Sequence, residues 1–141
     1  MVADTGLARM LLEAFRTMDD EIEAALQDRG VPDLRPSQAR AMLLIERAGT
    51  RLSDLADRAA ITKQAMMQVV DGLVSEGLVR RVPDPSDARA KIVKLTAKGL
   101  RQRAEARRAL ASVETRARRR LGNRRYDALK ATLTELSFDE E

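Results

Sequence analysis

The chain has 141 residues, a formal net charge of +4 and a pI of about 9.9, with 44% hydrophobic but only 2% aromatic content. That is one domain's worth of chain, with a core made of Ala, Leu, Val and Met, a composition that favours helices. The absence of Cys and His excludes a disulfide frame, a thiolate nucleophile, a thiol switch, a His-based triad and an ordinary zinc site, so no catalytic residue, cofactor or metal site is expected.

Charge is unevenly spread. Residues 1–33 carry three basic against eight acidic side chains, 34–97 eleven against seven, and 98–141 twelve against seven. A basic middle beside an acidic start suits a polyanionic partner met with one face. No apolar run approaches membrane-spanning length and the start lacks the apolar block of a signal peptide, so a cytoplasmic protein with no membrane partner is expected.

In chain order, Leu7, Leu11, Ala14, Met18, Ile22 and Leu26, with Met10 and Phe15 beside them, recur at three- and four-residue spacing. This predicts a long amphipathic helix over residues 5–29 that stops near Gly30. Its apolar side is longer than one core of this size covers, and the excess suggests a partner helix, most simply from a second copy of the chain. Pro36 suits the first turn of the next helix, with Ala39, Met42, Leu43 and Ile45 facing inward and Ala48-Gly49 ending it. Ser53 offers an N-cap for a short helix from Asp54 to Ala59. Ala60-Ile61 then turns the chain into a helix from Thr62 to Glu76, with Ala65, Met66, Val69, Val70 and Leu73 inward and Lys63, Gln64, Met67, Gln68 and Asp71 outward. Two helices joined by a turn of about four residues, the second with a polar outer face, form the helix-turn-helix pattern.

Gly77 is placed to end that helix in a left-handed turn. Leu78-Val79-Arg80-Arg81-Val82 reads as a strand closed by Pro83, and Ile92-Val93-Lys94-Leu95 as a second. The nine residues between them, Pro83 to Lys91, read as a polar loop whose charges, Asp84, Asp87, Arg89 and Lys91, are too many for simple chain reversal. Arg51-Leu52 offers a short third strand. Helix and ribbon together read as a DNA-recognition helix and its wing.

Beyond the wing, Thr96 can cap a long, mostly exposed helix with Leu100, Ala104, Ala111 and Val113 as its sparse apolar positions. The chain turns near Gly122-Asn123, and Tyr126, Leu129, Leu133 and Leu136 give the last helix one apolar face. First and last helices are the candidate dimer interface. The basic run from Arg116 to Arg125 reads more simply as a solvated helix face than as a nucleic-acid patch, and it can pair with the acidic first helix of a partner subunit.

The pattern resembles the multiple-antibiotic-resistance regulator (MarR) family. The resemblance is carried by Leu34 and Gln38, Ser53-Asp54-Leu55-Ala56, Val70-Asp71 with Leu73, and Gly77-Leu78-Val79. Above all it is carried by Asp84-Pro85-Ser86-Asp87-Ala88-Arg89 followed by Val93-Lys94-Leu95-Thr96-Ala97-Lys98-Gly99. It implies an obligate homodimer joined by the first and last helices, with Arg89 entering a minor groove from the wing tip and Asp87 orienting the wing. A narrow minor groove concentrates negative potential and accepts an inserted guanidinium. Gln64 and Gln68, one turn apart, can each make paired hydrogen bonds to adenine, Met67 can touch a thymine methyl, and Lys63 with Thr62 is better placed for phosphate. Arg81 and Lys91 complete the candidate DNA-binding set.

The chain departs from the family where many relatives carry Thr-Arg at Met67-Gln68, a longer residue at Gly72 and a capping Thr at Arg35. Other readings stay open: Arg89 in an ion pair with Asp84 or Asp87 that stiffens the loop, and Gln64 and Gln68 as solvated surface. Met10, Met18, Met42 and Met66 lie at core spacing. Relatives respond to small, often aromatic anions held between the dimer helices and the DNA-binding lobe; here Arg16, Arg40 or Arg47 could hold a carboxylate.

The expected fold is mainly α with a small β-wing, a single domain over 1–141, with a winged helix-turn-helix lobe at 34–97 flanked by dimerisation helices at 5–29 and 97–137. The expected function is that of a homodimeric DNA-binding transcription regulator, a repressor on a pseudo-palindromic operator that is released by a small anionic or aromatic effector. The alternative is a winged-helix module that uses the same face to bind protein.

Overall fold

The computed structural model describes residues 6–137, and within them the order is α1 (Leu7–Asp28), α2 (Pro36–Leu44), β1 (Thr50–Arg51), α3 (Leu52–Arg58), α4 (Lys63–Ser75), β2 (Val79–Asp84), β3 (Asp87–Leu95), α5 (Ala97–Leu121) and α6 (Asn123–Ser137). The fold is mainly helical with a small antiparallel sheet, as the periodicity predicts; residue 5, the expected start of the first helix, lies outside the described residues. The core joins the lower end of α1 (Ile22, Leu26), α2 (Met42), α3 (Leu55), α4 (Met66, Val70, Leu73), the sheet (Val79, Val93) and α5 (Val113), all buried. No helix among the described residues is long and apolar enough to cross a membrane.

Several boundaries move. α2 stops at Leu44, not at Ala48-Gly49; the chain leaves the helix so that Ile45, 2% exposed, can enter the core, and Leu43 is only half-buried. α3 begins at Leu52, so Ser53 lies inside its first turn instead of capping it, and Arg51 takes the N-cap position without a side-chain cap bond. The short third strand is Thr50–Arg51, one residue earlier than read.

The sheet runs in the order β1-β3-β2, with Thr50 opposite Val93, Val79 opposite Leu95 and Asp84 opposite Asp87. The expected nine-residue loop is therefore a two-residue turn, Pro85-Ser86, at the tip of a ribbon that continues through Pro83 and back along Asp87–Lys91. Pro83 does not close its strand. β2 lies at the edge of the sheet, where a missing N–H costs little.

α5 is less exposed than its composition suggests. Of the four apolar positions read from the sequence only Val113 is buried; the buried row is Gly99, Ala106, Ala109 and Val113. Small residues let α1 and α2 approach α5 closely, so Leu100 and Ala111 face outward. The start of α5 is pinned to the ribbon: the Thr96 hydroxyl donates to the Gly77 carbonyl at 2.6 Å and accepts from the Gly99 N–H at 3.0 Å. Two side chains of the basic run are tied down within the chain. Arg118 meets Asp127 at 3.2 Å and lies 4.2 Å over the Tyr126 ring, and Arg120 reaches Glu21 of the same α1 at 3.4 Å.

Much apolar surface stays uncovered at the two ends. Leu7, Met10, Phe15 and Met18 on α1 and Leu129 and Leu136 on α6 are exposed. Met10 and Met18 thus fail to enter the core of the single chain, unlike Met42 and Met66.

Candidate nucleic-acid interface

α4 starts at a cap. The Thr62 hydroxyl accepts from the Ala65 N–H at 3.0 Å, satisfying one of the free donors of the first turn. The turn before it holds Ala60 at φ 56°, a left-handed conformation that a Cβ disfavours. From there Met66, Val70 and Leu73 are buried, while Lys63, Gln64, Met67, Gln68 and Asp71 face solvent.

The wing stands beside the first turn of α4. Arg51 and Ser53, Lys63, and then Asp87, Arg89 and Lys91 line one open cleft of about 380 Å³, so cations from β1, α4 and β3 converge on it. At its tip the Asp87 carboxylate accepts the Arg89 N–H at 3.0 Å, which sets the backbone that carries the guanidinium. Among the described residues Arg89 has no ion-pair partner: Asp84, the acid it could have met, is taken by Arg51.

Asp84, more than Asp87, holds the turn. Its buried carboxylate accepts the Ser86 N–H at 2.9 Å, the Ser86 hydroxyl at 2.8 Å and Arg51 Nε at 2.6 Å. The Ser86 backbone bond first, then the Ser86 hydroxyl, with Arg51 adding to both against the opposing effect of burial, keep this carboxyl below its ordinary pKa. Arg51 and Asp84 are 33 residues apart in sequence, so no local motif announced the brace; pairing of β1 with β3 creates it.

The candidate residues thus divide. Lys63, Asp87, Arg89 and Lys91 surround one cleft; Gln64, Met67 and Gln68 occupy the adjoining face of α4; Thr62 serves as a cap. Arg81 stands apart, its guanidinium paired with Asp71 of α4. Arg51 and Ser53, which the sequence offers only as strand and cap, also line the cleft, and Asp84, read there as a wing charge and possible partner of Arg89, instead braces the turn through Arg51.

A second cavity, of about 370 Å³, opens between α2, the helix-turn-helix and α5, with Leu43, Leu44, Ile61, Met66 and Leu110 in its wall and Arg40 and Arg58 among the lining residues. Of Arg16, Arg40 and Arg47, only Arg40 reaches it, already paired with Asp19 and lying 5.0 Å over the Phe15 ring. No group of three or more acidic residues that could hold a metal occurs among the described residues.

The MarR family model matches residues 33–90. A solved structure of the transcriptional repressor CouR bound to a 23-mer DNA duplex is 26% identical to the chain, covers 94% of it and 93% of its own chain, and superposes with a TM-score of 0.81. A MarR mutant from E. coli in complex with operator DNA is 22% identical, with 94% coverage of both chains and a TM-score of 0.82. CouR from Rhodococcus jostii bound to p-coumaroyl-CoA is 22% identical, with 99% coverage of both and a TM-score of 0.81. A comparison with curated protein sequences finds no match.

Proposed function

We propose that the chain is a winged-helix regulator of the MarR family, whose model matches residues 33–90 and whose solved members share its fold, and that it is a homodimeric transcriptional regulator that binds a pseudo-palindromic duplex. Each subunit lays α4 in a major groove and extends Arg89 into the flanking minor groove. The observation that carries this reading is the Arg89 guanidinium, without an ion-pair partner among the described residues, at a wing tip whose backbone is held by Asp84 and Asp87, on the same cleft as Lys63 and Lys91. A guanidinium with no ion-pair partner among the described residues, carried on a braced turn, suits an external anion.

The exposed apolar rows of α1 and α6 support dimerisation through the chain ends. Repression follows from occlusion of the promoter. The cavity beside α2, apolar with Arg40 and Arg58 among its lining residues, suits a small anionic or aromatic effector, which acts only by binding one spacing of the two α4 helices better than the other.

One observation favours the protein-binding alternative: Ile61, Met67 and Val74 expose apolar surface on the helix-turn-helix. Salt separates the two readings. Duplex affinity, measured by fluorescence anisotropy on a randomised pool, is expected to fall steeply with ionic strength as phosphate counterions are released, and Arg89→Ala to weaken it by about 1–3 kcal/mol. Salt-independent binding that ignores Arg89→Ala would favour the interaction module.

A further inference from the structure

The outward side of α4 restricts which base pairs it can read. Guanine is recognised in the major groove chiefly by Arg or Lys paired to its O6 and N7, and cytosine by a carboxylate that accepts from its N4 amine. α4 carries no arginine. Lys63 lines the cleft shared with Arg89 and Lys91, which suits phosphate. Arg81 is paired with Asp71, the one carboxylate on the outward face of α4, while Arg51 and Arg89 sit at the wing cleft and Arg35 flanks Gln68 from the start of α2. On the outward face of α4 itself, beyond Lys63, neither partner of a G·C pair finds its usual reader.

Gln64, Gln68 and Met67 remain. A glutamine amide accepts from adenine N6 and donates to adenine N7. Four residues of helix separate the two glutamines, roughly 6 Å along the axis, close to two base-pair steps of about 3.4 Å each. Met67 is 46% exposed whereas its neighbour Met66 is 1% exposed. It holds an apolar side chain in water next to Gln68, and the thymine methyl is the apolar group the major groove offers.

We propose that the half-site facing α4 is built of A·T pairs, with adenines opposite Gln64 and Gln68 and a thymine methyl against Met67. The proposal rests on the operator-binding reading above.

The test is selection of bound duplexes from a randomised pool, followed by anisotropy titration of the full chain with the recovered half-site in modified forms. These carry 7-deazaadenine for adenine, which removes the N7 acceptor, deoxyuridine for thymine, which removes the methyl, or G·C in place of A·T. Enrichment of adjacent A·T pairs is expected, with G·C replacement weakening binding by about tenfold or more. Deoxyuridine should weaken the wild type and leave Met67→Ala indifferent; 7-deazaadenine should weaken the wild type more than Gln68→Ala. The three side chains are exposed, so an unchanged unfolding midpoint in the variants assigns any lost discrimination to the interface. Enrichment of G·C at the positions facing α4, or a wild type indifferent to both analogues, overturns the proposal and leaves the regulator reading standing. A pool with no enriched sequence and no salt dependence overturns both.

Discussion

At the scale of single residues, a few side chains hold the geometry on which the interface depends. Asp84 binds the turn through Ser86 and Arg51, and its folded pKa lies below the ordinary carboxylate value. Its ionised form therefore contributes stability above the unfolded pKa, and that contribution is lost as pH falls through the folded pKa. In denaturant unfolding, Asp84→Asn should be less stable than wild type at neutral pH, and the gap should close in acid; a gap that stays constant with pH would show that the charge is irrelevant. Ala60 is a second such residue. At φ 56° a β-branched side chain is a genuine outlier, so Ala60→Val is expected to cost about 1–3 kcal/mol in urea unfolding, whereas Ala60→Gly should be close to neutral, since relief of strain offsets added chain entropy.

Among the elements, α5 joins the ribbon to α1 and α2. Its first turn touches the ribbon at Gly99, where an added Cβ would lie 1.9 Å from the Leu78 carbonyl oxygen. Helix propensity alone makes Gly99→Ala favourable by about 1 kcal/mol. Contact with backbone reverses the sign, and a net loss of about 1–3 kcal/mol is expected by thermal or urea unfolding. The wing makes a related point about legibility. Its tip residues, Asp87-Ala88-Arg89-Ala90-Lys91, have no strand propensity, so they read as loop; they become strand because Asp87 pairs with Asp84 and Lys91 with Pro83, the register shifting between the two so that Ala88, Arg89 and Ala90 bulge from the ladder. Strand identity here comes from the partner.

Over the whole molecule, the single chain leaves two apolar rows in water, on the first half of α1 and along α6. Their burial in a second copy would account for a helix that its own core cannot cover. A charge placed there, Met10→Glu together with Leu129→Glu, is expected to give a monomer by sedimentation and to lower duplex affinity, because two half-sites are no longer bound by one particle. The same variant should leave the fold of residues 34–97 intact by circular dichroism, since neither side chain is part of the buried core. A dimer that survives this substitution would move the interface elsewhere.

The sequence by itself determined the six helices and the two main strands to within a few residues outside the wing, because apolar periodicity, the Thr96 cap, and Gly77 and Gly122 at helix ends are local signals. It also determined which chemistries are absent and which face of α4 turns outward. Tertiary structure alone decided the rest: which side of α5 is inside, since close packing rewards Gly99, Ala106 and Ala109 over the larger Leu100; that the wing is a tight hairpin; and which charges are occupied. Arg51 finds Asp84 across 33 residues of chain and Arg81 finds Asp71 across 10, while Arg89 has no ion-pair partner among the described residues. Hydrophobic pattern is written along the chain, but ion pairing depends on which backbones are brought together.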